Sequence, residues 1–376
     1  MEKLAVYIHW PYCARICPYC DFNVYKRKKD AALLPAILTD LEHWQEMSGP
    51  RNVTSIHFGG GTPSLMTAPQ VGAVIETVER LWGFGDIEIA LEANPHEMNA
   101  DIWRGYQAAG LNRMSLGVQS FNDEALAFLG RAHDGVAARK ALDLALEIFP
   151  SVSADLIFGW AGQSQAELAS DISILLDSGV PHISTYQLTI EDGTAFAKAE
   201  TRGQARAVGA DLSADFYDSV RESLTAAAFD HYEVSNFAKA GHHSQHNLAY
   251  WRGWDYVGVG PGAHGRITTS GQRQATIAHL TPAAYAKSVT ATGTGIDSVE
   301  DLNGAAWAAE YLLMGLRIKE GISISRYETL SGLRLNLSEL NHLINDTLLV
   351  KDNDRLKATA SGRLVLNAVT ERLLLS

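Results

Sequence analysis

Short apolar runs alternate with longer amphipathic stretches through the first two-thirds of the chain. AVYIHW (5–10), SIHFGG (55–60), IEIALEA (87–93), RMSLGVQ (113–119), SADLIFG (153–159) and ISTYQLTI (183–190) have the β-branched and aromatic content of strands. Between them lie helical patterns such as AALLPAILTDLEHW and SQAELASDISILLDSG. Strands that each lead into a helix imply right-handed βαβ units and a parallel sheet. Six such units predict an α/β fold, a partial (β/α)6 TIM-like barrel rather than the complete eight-stranded one. Polar residues and glycines fall at the C-terminal ends of the strands, where parallel α/β folds build their sites.

The rhythm changes near residue 200. GADLSADFYDSVRESLTAAAF reads as one long amphipathic helix, followed by HYEVSNFA and a stretch dense in Gly, His and Trp. ATGTGIDSVEDLNG (291–304) has the small, turn-forming composition of a linker. WAAEYLLMGLRI (307–318) places Trp307, Tyr311, Met314 and Ile318 on one helical face, with Met314 read as core. The last fifty residues read as a helix, a hairpin turning at Asp352–Asp354, and a final helix, which predicts a small winged-helix-like domain. The expected organisation is a barrel over 1–230, an extension packing on it over 231–295, and a C-terminal domain over 296–376.

Composition adds bounds. With 46% hydrophobic and 20% charged residues the chain has an ordinary globular make-up. No apolar run approaches the roughly 20 residues of a membrane-spanning helix, and MEKLAVYIHW lacks the parts of a signal peptide, so a cytoplasmic protein is expected. A net charge of −12 argues against extended contact with nucleic acid, and makes the C-terminal domain a packing or partner platform. The basic run KRKK (26–29) reads as a solvated face.

The cysteines change the picture most. All three fall in CARICPYCDF, with the spacing C-x3-C-x2-C, just after the first strand. Clustered thiols in a reducing compartment point to metal or redox chemistry rather than disulfides. Structural zinc asks for four closed protein ligands, and His9 or His57 could complete such a set. A 4Fe-4S cluster is usually held by four cysteines, so three leave one iron open to a chelating ligand.

That spacing, its place after strand 1, and Tyr19 before the third cysteine resemble the radical SAM superfamily. The resemblance implies a 4Fe-4S cluster on Cys13, Cys17 and Cys20, with S-adenosylmethionine (SAM) on the open iron. It also implies an electron donor, such as a flavodoxin or ferredoxin, for one-electron cleavage of SAM to methionine and a 5′-deoxyadenosyl radical. By the same resemblance Gly60, Gly61 and Thr62 of FGGGTPS meet the methionine amino group. Glu92 of EANP, Gln119 of GVQSF, Arg131 of LGRAHD, Asp155 of SADLIFG, Tyr7 and Tyr19 complete the SAM site. Any one such Glu, Gln or Asp is more often a solvated or capping residue; several at the ends of successive strands face a common cavity.

Within the superfamily, YIHWPYC, CPYCDF, FGGGTPS, LGVQSF, DLIFGWAGQ, STYQLTIEDGTAF, YEVSNFA and HNLAYW resemble the group that contains oxygen-independent coproporphyrinogen III oxidases and heme chaperones. The oxidases carry a further cysteine two places after the third, where this chain has Phe22. They also carry a long N-terminal extension, where this chain has a dozen residues before Cys13. Both departures count against oxidative decarboxylation of porphyrinogen propionates, the alternative activity. HNLAYW (246–251) fits the chaperone branch. His246 offers an imidazole to heme iron, and Tyr250 and Trp251 offer flat surface to a porphyrin. His242, His243 and His264 are alternative ligands. In the blander reading His246 and Asn247 hold a loop by hydrogen bonds while Tyr250 and Trp251 pack in the core. The resemblance implies heme delivery to acceptor proteins that include membrane-bound respiratory enzymes, hence peripheral association with the inner membrane.

Overall fold

Six strands run parallel and adjacent in chain order: β1 (Lys3–Trp10), β2 (Asn52–Gly60), β3 (Glu88–Ala93), β4 (Arg113–Gln119), β5 (Ser151–Phe158) and β6 (His182–Gln187). The computed structural model that shows them describes residues 2–26 and 30–374; Arg27, Lys28 and Lys29 of the basic run lie outside the described residues. The helices α1 (Leu33–Ser48), α2 (Ala68–Trp82), α3 (Ala100–Ala108), α4 (Gly135–Ile148) and α5 (Gln165–Ser178) provide the crossovers. This is the predicted partial (β/α)6 barrel.

Strand alternation divides the barrel chemically. One set of side chains, including Ile8, Phe58, Leu91, Leu116 and Leu156, is wholly buried in the main core. Fully burying such a side chain stabilises by about 1.5–3 kcal/mol relative to exposure. The opposite set is polar and faces the barrel interior. The register sets Tyr7 beside His57, Glu92 beside Ser115, and Asp155 beside Ser184. A period of two places every second residue on that face, so the interior is lined from several strands at one level.

The sheet does not stop at the six strands. On one edge β8 (Asn236–Ala238) pairs antiparallel with β6, and β7 (Asp230–Glu233) follows it; α6 (Ala210–Ala226) leads into them. On the other edge β9 (Asp255–Val259) runs parallel to β1, followed by antiparallel β10 (His264–Thr269), β11 (Gln272–Ala278) and β12 (Ile296–Leu302). The expected extension is therefore woven into one twelve-stranded sheet rather than laid upon it. Within the expected linker, β12 pairs with β11 from Ile296 to Leu302. As an edge strand exposed along most of its length, β12 has no alternation to betray it.

Two further helices frame the ligand region. The first, α7 (Gln245–Trp251), fills the barrel interior; Glu88 accepts the backbone N–H groups of Gln245 and His246 at 3.0 and 2.9 Å, a carboxylate on a helix N-terminus. The second, α8 (Gly304–Gly315), opens the C-terminal domain. That domain has a separate core around Leu312, Leu316, Leu343 and Leu356, and a three-stranded sheet of β13 (Ile322–Ser323), β14 (Leu349–Asp352) and β15 (Arg355–Ala358). Among the described residues no helix is long and apolar enough to cross a membrane.

Candidate cofactor and ligand site

The cysteine loop is gripped by its neighbours. Gly61 N–H donates to the Trp10 carbonyl at 2.8 Å, Thr62 N–H to Tyr12 at 2.9 Å, and Phe196 N–H to Pro18 at 3.0 Å. A Cβ on Gly61 would lie 2.8 Å from backbone atoms of Pro11 and Tyr12. A Cβ on Gly60, whose φ is +103°, would lie 2.5 Å from the His9 ring. The sequence reads as glycines leaving room for a ligand; the contact that forbids a side chain is with His9 and the loop itself.

Cys13, Cys17 and Cys20 open on a cavity of about 380 Å³. Tyr19, Gly60, Gly61, Thr62, Glu92, Gln119, Arg131 and Asp155 line the same space. Asn94, Ser115 and Tyr186 join them, residues the sequence reading did not single out although strand alternation points to the last two. Burial pushes the Cys20 thiol up to about 11 and raises Cys13 as well, so iron must displace protons to bind there. The half-buried Arg131 side chain donates to Cys17 Sγ at 3.5 Å, Tyr19 Oη at 3.3 Å, the Gly117 carbonyl at 2.9 Å and Asn94 Oδ1. It ties the loop to the ends of β3 and β4 and sets a positive charge beside the sulfurs. Gln119 adopts a left-handed φ of +67°, and its Oε1 is buried without a hydrogen-bond partner. A strained residue that presents an unsatisfied acceptor suits a ligand donor. Burial first, then Glu92, raises the Asp155 carboxyl to about 7, against the opposing Ser184 hydroxyl and Arg131.

The histidines that could have completed a zinc site are engaged elsewhere. His9 donates Nε2–H to the Asn23 carbonyl at 3.0 Å and accepts the Tyr7 hydroxyl on Nδ1 at 3.1 Å. His57 donates to Glu92 at 2.9 Å. Neither lines the cysteine cavity.

A second cavity of about 580 Å³ adjoins the first, with Asp21, Phe22, Gly60 and Glu92 on both walls. Tyr7 lines this cavity and not the cysteine chamber, on the side that Gly60 and Glu92 share. The cavity is an aromatic cleft: Tyr250 and Trp251 from α7, Tyr256, and Trp307 and Tyr311 from α8. Met314 lines it too, so this methionine is part of the cleft rather than of the core.

His246 reaches neither cavity wall. It is 1% exposed and stacks on His57 at 4.7 Å. Its Nδ1 meets Ser55 Oγ at 2.9 Å and its Nε2 meets Tyr250 Oη at 2.7 Å. Burial, then His57, lowers its pKa well below the usual value, so the ring is neutral. Both nitrogens are thus engaged, which is the arrangement of the hydrogen-bonding alternative. His242 bonds Ser151 at 3.0 Å and His243 stacks on Tyr232 at 4.4 Å, both away from the cleft, whereas His264 lines it.

Residues 7–174 match the profile of the radical SAM superfamily, and residues 306–365 that of the HemN C-terminal domain. Curated relatives align end to end. The protein named heme chaperone HemW in Escherichia coli is 35% identical over 383 residues, covering 100% of this chain and 99% of its own. Its namesake in Haemophilus influenzae is 33% identical, with 100% and 98% covered. The chain belongs to the radical SAM superfamily. A mitochondrial radical S-adenosyl methionine domain-containing protein 1 of Danio rerio is 35% identical, covering 99% of this chain and 87% of its own. Coproporphyrinogen III oxidase (HemN) from Escherichia coli shares the fold, with a TM-score of 0.83 at 22% identity over 99% of this chain and 90% of that one.

Radical SAM membership implies a 4Fe-4S cluster and SAM, and the residues fit both. Three thiols on one loop border a cavity ringed by polar strand ends, with a cation beside the sulfurs and the unpaired Gln119 acceptor across from them.

Proposed function

We propose that this protein is a heme chaperone: it takes heme into the aromatic cleft, beside a SAM-binding cluster site, and passes it to acceptor proteins. The observation that carries this reading is the cleft itself. It places four Tyr, two Trp and a Met within one cavity that shares a wall with the cysteine chamber. Aromatic faces suit a porphyrin, and the volume falls in the range of small-molecule sites. Full-length similarity to proteins named heme chaperone supports it, as does Phe22 in place of the oxidases' further cysteine.

In this reading Cys13, Cys17 and Cys20 hold the cluster, and Glu92, Gln119, Arg131 and Asp155 bind and orient SAM. When bound, that pair supplies one-electron reductive chemistry. His246 braces Tyr250 from behind, fixing the hydroxyl and ring that border the heme, and Trp251 covers a further part of the porphyrin. The electron donor is a flavodoxin- or ferredoxin-type protein, and the acceptors include membrane-bound enzymes, which draws the chaperone to the inner membrane.

The test is an anaerobic hemin titration of the purified protein, alongside an assay with coproporphyrinogen III, SAM and a reductant. Saturable hemin binding, weakened by Tyr250→Ala/Trp251→Ala, with no protoporphyrinogen formed, is expected. Robust turnover of the porphyrinogen would replace this proposal with the oxidase.

A further inference from the structure

A third cavity, of about 380 Å³, lies at the seam between the barrel and the C-terminal domain. Trp251 and Tyr311 line both it and the aromatic cleft, so the two spaces adjoin at those rings. Its wall carries four cations drawn from distant parts of the chain: Lys3 at the start of β1, Arg252 just after α7, Arg326, and Arg355 on β15. This is unusual company in a chain of net charge −12.

One lining carboxylate, Glu320, answers them, and it is used by Arg252 at 2.8 and 3.0 Å. Lys3 Nζ stands 3.8 Å from the centre of the Trp254 ring, and the Arg252 guanidinium 5.1 Å from the same ring, so two like charges share one indole. Arg326 is spread over the carbonyls of Arg252 and Gly253 at 2.8 and 3.0 Å and lies 5.1 Å over Tyr311. Arg355 donates to the Gly321 carbonyl at 3.4 Å; its neighbour Asp354 accepts from Ser323 and Ser325, which hold its carboxyl below the usual range with Arg355 adding to the effect, so this carboxylate partly offsets Arg355 from outside the lining. Carbonyl oxygens satisfy donors but leave charge uncompensated. With Glu320 and Asp354 set against four cations, the cavity keeps excess positive charge beside a flat aromatic cleft.

We propose that this cavity receives the carboxylates of the porphyrin bound in the cleft. The propionate groups pass the edges of Trp251 and Tyr311 and meet Arg326, Arg355 and Lys3. The inference rests on the porphyrin reading above. Guanidinium groups match carboxylates with two parallel hydrogen bonds, so they fix orientation as well as adding affinity. The carboxylate edge then points to the domain seam and the opposite edge toward the shared wall with the cysteine chamber. Because Lys3 and Arg252 belong to the barrel side, and Arg326 and Arg355 to the C-terminal domain, the bound carboxylates also bridge the two.

The test compares hemin with hemin dimethyl ester, whose carboxylates are capped, on the full-length protein and on Arg326→Gln/Arg355→Gln. The wild type is expected to prefer hemin by roughly tenfold or more, and the variant to bind hemin as weakly as the ester with its ester affinity unchanged. Lys3→Gln/Arg355→Gln, altering two exposed residues, carries the test if loss of Arg326 disturbs folding; a several-fold loss for hemin alone is expected. Equal binding of hemin and ester by the wild type, or full hemin affinity in a folded variant, would overturn the assignment. If the wild type binds neither ligand, the porphyrin reading falls first and this one with it.

Discussion

Replacing Asp155 by Asn is expected to stabilise the cluster-free protein at pH 8 while leaving it unchanged near pH 4. The Asp155 carboxyl titrates at about 7 in the folded state, because it is buried and faces Glu92. In an unfolded chain an aspartate titrates near 3.9. Between those values the folded protein holds a proton that the unfolded chain releases. The sign follows: this group's contribution is fully present below about pH 4 and is lost as pH rises through 7. The whole displacement corresponds to a ceiling of about 4 kcal/mol, and water in the cavity screens it to about 1–2 kcal/mol. Asn keeps the shape, can still hydrogen-bond Ser184, and does not titrate. Urea unfolding of both proteins from pH 4 to pH 8 measures the difference. It should grow with pH and favour the variant at pH 8, even as SAM affinity drops because a polar ligand contact is lost. A difference that is flat with pH, or a variant less stable at pH 8, would refute the reasoning. Such a variant would be stabilised and impaired at once, as expected where a site is held against its own stability.

Gly61→Ala puts a methyl group 2.8 Å from backbone atoms of Pro11 and Tyr12, neither of which can swing aside; about 1–3 kcal/mol of stability should be lost, and iron and sulfide after anaerobic reconstitution should fall below half, whereas full loading would show that the loop has slack. His246→Ala strands Ser55 and the Tyr250 hydroxyl in the interior, with a cost of about 2–4 kcal/mol in urea unfolding. His246→Gln, which can still hydrogen-bond Tyr250, should recover hemin binding that the Ala variant loses; equal loss of the Soret band in both would make the imidazole an iron ligand instead of a brace. Arg131→Lys keeps the charge but not the fork that reaches Cys17, Tyr19, Gly117 and Asn94; cluster content should fall, and an unchanged optical spectrum after reconstitution would count against it.

Much of the barrel was legible because its information is local. The strand RMSLGVQ is observed with the bounds the pattern predicts, Arg113–Gln119, and the cysteines, being seven residues apart end to end, must share one loop wherever the rest of the chain goes. The strand β12 was not legible, since an exposed edge strand carries no apolar alternation. The place of His246 was not legible either. Its motif shows an imidazole near two aromatic rings, but not that Ser55, 191 residues earlier, meets one nitrogen while Tyr250 takes the other.

By itself the sequence determined the ligand chemistry that a short segment can hold: three thiols on one loop, polar strand ends, an aromatic helix face. Only the tertiary structure decided which of these meet. Trp251 and Tyr311 border both the cleft and the basic cavity, and Lys3 joins Arg326 and Arg355 across more than 300 residues. The physical reason is range. Periodicity and spacing act over a few residues, whereas a cavity is a property of packed surfaces whose members are brought together by burial of the apolar faces opposite them.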